Sequence, residues 1–237
     1  MVRIAIILTA AALFAQTPKR ESPQPRPVNP GDAAHPPSDA IVLFSGSDVS
    51  GWTKKDGSPT GCTADQGTMV CVSGAGDVYS RQKFQSAQIH LEFNVPHMPD
   101  QKGQLRGNSG VYLHAKYEIQ ILDSYHNPTY AHGSLGGLYN QAPPLVNAAR
   151  QPGQWQTYDM ILRAPKCDAS GKVTEKAVVT VVLNGVLVQD HVAIDASEKL
   201  GAGCEPAPLM MQDHSGFPNA PVTTMRFRNI WIRPLSE

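Results

Sequence analysis

The chain has few aromatic residues and few cysteines, and its charge is not biased to either sign. Its 237 residues contain 7% aromatic residues and four cysteines, and 20 basic residues balance 20 acidic ones. A balanced charge provides no basic surface that could hold nucleic acid, so no nucleic-acid partner is expected. No two cysteines have the close Cys-x-x-Cys spacing of a structural zinc site, which disfavours that interpretation.

Long apolar runs are also missing. The longest, from Ile4 to Ala12, is shorter than the about 20 residues that a membrane span needs. It follows Arg3 and leads to Ala15, which is the layout of a secretory signal peptide over residues 1–15. We therefore expect a periplasmic or secreted protein without a membrane span.

Two further regions follow the predicted signal peptide. Residues 16–37 are rich in proline and poor in apolar side chains, so they cannot offset the entropy of ordering and predict a disordered tether. Residues 38–237 form the expected folded domain.

Helical periodicity is nearly absent from this domain, whereas alternation of apolar and polar residues recurs. Asn184-Gly185, between two β-branched runs, predicts a tight hairpin turn. The fold class is therefore all-β, a sandwich of two antiparallel sheets. The predicted strands are Ile41–Phe44, Met69–Val72, Ala87–Val95, Ser109–Leu122, Gln156–Arg163, Ala177–Leu183, Val186–Val192, Leu209–Gln212 and Met225–Ile232.

The four cysteines form an even set, which suits disulfides in an exported protein. A two-residue turn at Gln66-Gly67 would place Cys62 opposite Cys71. Cys167 and Cys204 would then join two loops. Two other pairings of the four remain open at the level of sequence.

The most informative segment runs from Asn108 to Gln120. Its odd positions are mostly apolar, which predicts one buried face and one wet face. The wet face carries amide, phenol, imidazole and carboxylate groups that could converge on a sugar, although an ordinary solvent-facing surface is the alternative. The side chains expected on it are Asn108, Tyr112, His114, Lys116, Glu118 and Gln120.

Asp123 would join this face if the strand contained one bulge. The resulting Glu-x-Gln-x-x-Asp spacing resembles the Glu-x-Asp-x-x-Glu motif of laminarinase-like retaining glycosidases. Gln120, in the middle position, departs from that motif. Because retaining hydrolysis needs a matched pair of carboxyl groups, this departure argues against such a glycosidase.

Eight short motifs occur in order along the domain, and together they resemble the 3-keto-disaccharide hydrolase domain family. The motifs are Leu43-Phe44-Ser45-Gly46 with Gly51-Trp52, Asn108-Ser109-Gly110-Val111, Tyr117-Glu118-Ile119-Gln120-Ile121-Leu122-Asp123, Gly137-Leu138-Tyr139, Trp155-Gln156-Thr157-Tyr158-Asp159, Leu183-Asn184-Gly185, Gln212-Asp213-His214 and Phe227-Arg228-Asn229-Ile230. The resemblance covers about residues 40–235. The loops at 97–106 and 165–176 and the cysteines depart from the family pattern.

The resemblance implies a concanavalin-like sandwich that cleaves glycosides already oxidised at C3 by a separate dehydrogenase. A ketone at C3 acidifies the C2 hydrogen, so a base can remove it, the C1 substituent can leave, and water can add back. Such a site needs a base, an oxyanion stabiliser and an acid. A non-catalytic, lectin-like carbohydrate-binding module is the alternative, because the fold does not decide the function.

Residue roles follow as hypotheses. Glu118 or His214 would transfer the proton, and Asp123 would be a second acid or base. The predicted substrate-binding residues are Asn108, Tyr112, His114, Gln120, Tyr139, Gln212 and Arg228. No cofactor is required by this chemistry, although a divalent metal ion held by Asp123, His126 or His214 is a further hypothesis.

Overall fold

A computed structural model describes residues 24–32, 35–195 and 203–236. The predicted signal peptide at 1–15 lies outside the described residues, as do residues 16–23 and 33–34 of the predicted tether. Within the described part, no helix is long and apolar enough to cross a membrane.

The described residues form fifteen β-strands, with short 3-10 helices at Gly103–Leu105, Ala131–Gly133 and His214–Gly216. In chain order the strands are β1 Ile41–Phe44, β2 Trp52–Thr53, β3 Thr63–Asp65, β4 Thr68–Val72, β5 Val78–Phe84, β6 Ala87–Asn94, β7 Ser109–Leu113, β8 Tyr117–Ile121, β9 Trp155–Arg163, β10 Lys166–Cys167, β11 Val173–Glu175, β12 Val178–Leu183, β13 Val186–Ala193, β14 Ala207–Met211 and β15 Thr224–Pro234.

Two antiparallel sheets make up the sandwich. The large sheet has the order β13-β12-β9-β6-β15-β4-β3, and β1 also pairs with β15. The small sheet has the order β2-β5-β14-β7-β8, while β10 and β11 form a separate ribbon. This is the all-β, concanavalin-like sandwich predicted from the sequence.

The core lies between the two sheets because their strands alternate as expected. In β6, Ala87, Ile89, Leu91 and Phe93 are fully buried and the residues between them are not. Each such burial contributes on the order of 2 kcal/mol, which fixes the register of the strand. The largest fully buried side chains include Trp52, Tyr117, Tyr158, Phe44, Phe93 and Phe227.

The disulfides join Cys62 to Cys71 and Cys167 to Cys204. The first follows from the turn at Gln66 and Gly67, where both residues have positive φ and Asp65 pairs with Thr68. This is the pairing expected from that turn. Asn184 and Gly185 also have positive φ and connect β12 to β13, as their sequence predicts.

Candidate functional site

The segment predicted as a single strand from Ser109 to Leu122 is a hairpin. His114 and Ala115 both have positive φ, and Leu113 pairs with Tyr117 across the turn. The sequence contains no glycine or Asn-Gly pair at this point, so no sequence pattern predicts the turn. The single-strand prediction was therefore wrong.

The predicted polar face nevertheless survives the turn. Three residues separate Leu113 from Tyr117, so even positions remain on one face of both strands. Tyr112 lies directly opposite Glu118, and Gly110 lies directly opposite Gln120. The hairpin therefore brings these residues closer together than one extended strand could.

The register of the small sheet extends this face over four strands. Val78, Met211, Val111 and Ile119 form a buried row across β5, β14, β7 and β8. The rows on either side must point outward, away from the core. One outward row contains Tyr79, Met210, Tyr112 and Glu118, and the other contains Asp77, Gln212, Gly110 and Gln120.

A chain of hydrogen bonds connects three of these side chains. Gln212 Nε2 donates to the Tyr112 hydroxyl over 3.0 Å, and the Tyr112 hydroxyl in turn bonds to the Glu118 carboxylate. Because the hydroxyl oxygen already accepts from Gln212, its proton is directed at Glu118. Tyr112 thus has a fixed orientation in which it stabilises the ionised form of Glu118.

The pKa of Glu118 lies near neutrality. Burial raises the pKa to about 7, and the hydrogen bond from Tyr112 only partly opposes this shift. Burial and the charge of Glu118 also raise the pKa of Tyr112 well above its ordinary value, so Tyr112 stays a donor. A carboxyl group with this pKa can both accept and donate a proton at neutral pH.

Gly110 lies directly next to the Glu118 carboxylate. A Cβ atom on Gly110 would lie 2.6 Å from Glu118 Oε1 and 2.8 Å from Tyr112 Cε2. The backbone there does not require glycine, since its φ is not in the left-handed region. Gly110 therefore provides space for the carboxylate rather than a turn. We refer to the surface of Gly110, Gln120 and Gln212 around this carboxylate as the depression.

Gln120 borders the depression and is 1% exposed. Its Nε2 donates to Gln104 Oε1 over 3.0 Å and lies 3.3 Å from the Gly133 carbonyl. Its Oε1 has no partner, and neither has Gln212 Oε1. Unpaired buried acceptors are costly, so each amide oxygen would gain from a hydroxyl donor of a ligand that moved the side chains covering it.

A loop segment covers the open edge of β8. Gln120 N donates to the Gly137 carbonyl, Gly136 N donates to the Gln120 carbonyl, and Tyr139 N donates to the Glu118 carbonyl. This pairing places Tyr139 on the side of Glu118 opposite Tyr112. The Tyr139 hydroxyl lies 2.6 Å from that of Tyr130.

His214 lies in the short 3-10 helix that follows Gln212 and Asp213. It lines a small cavity together with Asn108 and Gln212, and its ring stacks on Phe217 at 4.3 Å. Burial lowers the pKa of His214, which the charge of Asp213 only partly opposes, so the imidazole is neutral near pH 7. A neutral imidazole can donate one N–H and accept at its other nitrogen.

Asp213 supports the loops around the depression. It caps the 3-10 helix that begins at His214, and its Oδ2 accepts from Gly74 N and Gly76 N, both at 2.8 Å. Burial favours its neutral form, but the backbone donors outweigh burial and lower the pKa. Asp213 therefore satisfies the hydrogen-bonding groups of the loop backbone.

The sequence model of the 3-keto-alpha-glucoside-1,2-lyase-like domain family matches residues 39–233 of the chain. The chain belongs to this family. A crystal structure of a "putative glycosyl hydrolase" from Parabacteroides distasonis has 38% sequence identity and a TM-score of 0.82, covering 92% of this chain and 95% of that one. A second one from the same organism has 20% identity and a TM-score of 0.59, covering 84% and 94%.

No curated protein matches the chain. The family membership confirms the resemblance predicted from the motifs. Family membership and the similarity to glycosyl hydrolases show that the protein is a carbohydrate-active, glycosyl hydrolase-like enzyme.

Asp123 is buried in an ion pair at the end of the segment that follows β8. Its carboxylate is 1% exposed and pairs with Arg106, with Nε 2.7 Å from Oδ2. It also accepts from Tyr125 N at 3.1 Å. Arg106 and Asp123 line a separate cleft, with His97, Tyr125, His126 and Gln151 around it. The role of Asp123 as a second acid or base stays a prediction.

Two predicted substrate-binding residues also lie elsewhere. His114 is 2% exposed in the hairpin turn, where its Nε2 lies 3.1 Å from the Gln85 carbonyl. Arg228 belongs to β15 of the large sheet, where it pairs with Glu92 at 2.7 Å and lies 4.1 Å from the Trp155 ring centroid. Neither residue contributes to the depression.

The remaining predicted residues, Asn108, Tyr112, Gln120, Tyr139 and Gln212, surround Glu118 or line the depression. Sequence reasoning missed Asp77, Gln104 and Tyr130. Asp77 comes from the loop before β5, and its Oδ1 accepts from Asp213 N at 2.9 Å. Only the register of β5 against β14 reveals its position, and no pattern within a single strand could have done so.

The described residues contain no group of three or more His, Cys, Asp or Glu side chains that could hold a metal ion. Of the residues in the metal hypothesis, Asp123 and His126 line the Arg106 cleft, whereas His214 lines a small cavity with Asn108 and Gln212. The three side chains are thus not assembled into one site.

Proposed function

We propose that the protein cleaves glycosides bearing a ketone at C3, by removing the C2 proton, expelling the C1 substituent and hydrating the product. The observation that carries the proposal is Glu118, a half-buried carboxylate with a pKa of about 7 that Tyr112 orients. This pKa suits a base that must be ionised to act and must afterwards return its proton.

In the proposed first step, Glu118 takes the C2 proton, and the electron pair of the C–H bond delocalises onto the C3 oxygen as an enolate. The C1–O bond then breaks, and the leaving oxygen takes the proton from the Glu118 carboxyl group. The product is a 3-keto sugar with a double bond between C1 and C2. One carboxyl group suffices for both transfers, because both reacting atoms are adjacent in the substrate.

Hydration would reverse these transfers. Glu118 takes a proton from water, the oxygen adds to C1, and the carboxyl group returns the proton to C2. The sum of both steps is hydrolysis of the glycosidic bond. The mechanism therefore needs no second carboxylate, which agrees with the pairing of Asp123 with Arg106.

Other residues would bind the sugar. The free amide oxygens of Gln120 and Gln212 suit two sugar hydroxyls, and the N–H of neutral His214 suits the enolate oxygen. If a divalent ion bound near His214, it would polarise the C3 ketone. We propose no further ligand for such an ion.

The substrate also implies a cellular context. A 3-keto-glycoside forms when the C3 hydroxyl is oxidised, so we propose that a separate dehydrogenase supplies it. We further propose export to the periplasm or the medium, supported by the signal-peptide pattern of residues 1–15 and by the two disulfides.

The test uses the purified protein and a 3-keto-glucoside with a chromogenic leaving group, beside the matching unoxidised glucoside, each with and without chelator. We expect release from the keto substrate alone. Glu118→Gln should lower kcat by at least about 100-fold, since a general base typically contributes that much. Glu175→Gln is the matched control, because Glu175 is exposed on β11.

Release from the unoxidised glucoside at a similar rate would contradict the elimination chemistry. Binding without release from either compound would leave a lectin-like carbohydrate-binding module. Loss of release upon chelation would assign a metal ion to the reaction.

A further inference from the structure

Both backbone groups of Gln212, the residue directly after β14, are bonded to β7. Its N–H donates to the Gly110 carbonyl over 3.0 Å, and its own carbonyl accepts from the Ser109 hydroxyl over 2.8 Å. From this anchored position its Nε2 donates to the Tyr112 hydroxyl over 3.0 Å, and Tyr112 bonds onward to Glu118. The three side chains thus form a hydrogen-bond chain that runs from β14 over β7 to β8.

The hydrogen-bond chain has a direction, because the Tyr112 hydroxyl has a single proton. Ionised Glu118 offers only acceptors, so this proton lies between Tyr112 and Glu118. Gln212 must then face Tyr112 with its amide nitrogen, since two oxygens without a proton between them would repel. Among the described residues Gln212 Oε1 has no hydrogen-bond partner, so no competing contact turns the amide around.

The same direction decides where a proton taken up by Glu118 points. Gln212 offers no acceptor to Tyr112, so Tyr112 continues to donate its own proton to the Glu118 carboxyl group. If the added proton pointed at Tyr112, the Tyr112 proton would lose its acceptor, and a buried donor without a partner is costly. The added proton therefore points away from Tyr112.

We propose that Gln212 is a positioning residue that acts through Tyr112 and keeps the transferable proton of Glu118 directed away from Tyr112, where a bound sugar can receive it. In the proposed reaction Glu118 takes the proton from C2 and passes it to the leaving oxygen, while Tyr112 keeps its own proton throughout. The role in catalysis rests on the proposed function, whereas the hydrogen-bond chain belongs to the free protein. A strong acceptor at position 212 would reverse the chain and hold the proton between Glu118 and Tyr112.

Other titratable groups face Glu118 or the hydrogen-bond chain from neighbouring elements. They are Asp77, Tyr79, Lys116, Tyr130, Tyr139 and His214. Burial, the charge of Glu118 and the charge of Asp77 together raise the pKa of Tyr112. Tyr112 therefore stays a neutral phenol with a proton to donate, as the chain requires.

The test follows the titration of Glu118 in the free protein by carbon NMR of the glutamate carboxyl groups, with the signal assigned by its absence in Glu118→Gln. Gln212→Glu places an acceptor where the amide donates, so the Tyr112 proton turns away from Glu118. We expect the pKa of Glu118 to rise by at least about one unit, since its charged form loses a hydrogen bond. Gln82→Glu is the matched control. It adds the same charge at an exposed position of β5 and should shift the pKa by less than about 0.3 unit.

A double-mutant cycle with Tyr112→Phe separates the chain from a direct effect of the added charge. In the Tyr112→Phe background, Gln212→Glu should shift the pKa of Glu118 by less than about half as much, because the connecting hydroxyl is missing. An equal shift in both backgrounds, or no shift in Gln212→Glu, would overturn the inference. If Gln212→Glu did not fold, Tyr112→Phe alone would decide. A rise of at least about one unit is then expected, and no rise would contradict the chain.

The catalytic part is measured with the chromogenic 3-keto-glucoside. For Gln212→Glu we expect kcat at the optimal pH to fall at least about tenfold, with KM changed less than about threefold, because the proton is held back from the sugar. An equal fall in kcat for Gln212→Met, which removes the donor without reversing the chain, would contradict this reason. Absence of turnover by the wild-type protein, with the NMR shifts present, would reject the proposed function and leave the hydrogen-bond chain supported.

Discussion

At the scale of single residues, the structure assigns opposite environments to two carboxylates that looked alike in sequence. Glu118 has a phenol donor and a pKa raised to about 7, whereas Asp123 forms an ion pair with the adjacent Arg106 guanidinium. The Asp123 carboxylate is thus already occupied by a fixed partner, whereas the Glu118 carboxylate is bonded only to a phenol. The environment therefore favours Glu118 as the proton-transfer group.

The raised pKa of Glu118 has a consequence for stability. An unfolded glutamate loses its proton near pH 4.3, but the folded protein keeps it until about pH 7. Between these values the unfolded state binds fewer protons, so the free energy of unfolding decreases as pH rises and then levels off above pH 7. The free energy of unfolding of Glu118→Gln, taken relative to that of the wild type, should therefore increase by about 3 kcal/mol between pH 4 and pH 8.

Urea unfolding at both pH values checks this, with Glu175→Gln as the control. A stability difference between Glu118→Gln and the wild type that did not change with pH would show that Glu118 titrates normally.

At the scale of strands and turns, period-two alternation located most strands but not all. β5 was missed because its central residues Arg81, Gln82 and Lys83 are consecutive and exposed, which hides the buried Val78 and Phe84 on either side. The turn at His114 and Ala115 was missed because neither position holds the glycine or Asn-Gly pair that marks a tight turn. Even sequence positions nevertheless share one face of β7 and β8, so the placement of Tyr112, Glu118 and Gln120 together was predictable.

The disulfides belong to this scale, since each closes a loop of different length. The separations are 9 residues for Cys62–Cys71 and 37 for Cys167–Cys204. Loop-closure entropy then predicts a stabilisation of about 3 and about 4 kcal/mol, respectively. Urea unfolding of the two double serine variants should show the larger loss for Cys167→Ser with Cys204→Ser. The reverse order would show that local packing outweighs chain entropy.

At the scale of the whole molecule, the sandwich has two outer faces with different chemistry. The small sheet carries Glu118 and the depression, whereas the large sheet carries ion pairs such as Arg228 with Glu92. The core between the sheets separates these groups. Sequence motifs contain residues of both faces, and only the strand order distinguishes them.

This separation can be tested with Arg228→Ala. Arg228 is 41% exposed, so its ion pair contributes little, and we expect less than about 1 kcal/mol loss of stability. Turnover of the 3-keto substrate should be unchanged within about twofold. Gln120→Ala, in the depression, should lower kcat/KM clearly in the same assay. A large loss in Arg228→Ala would mean that the large sheet contributes to catalysis.

The segment from Gly136 to Tyr139, which pairs with the backbone of β8, also bears on solubility. β8 ends the small sheet, and an uncovered edge strand can recruit strands from other molecules into aggregates. Here the backbone groups of Gln120 and the Glu118 carbonyl are already occupied. Variants that loosen this segment to admit bulkier sugars should therefore aggregate more readily, which links substrate range to colloidal stability.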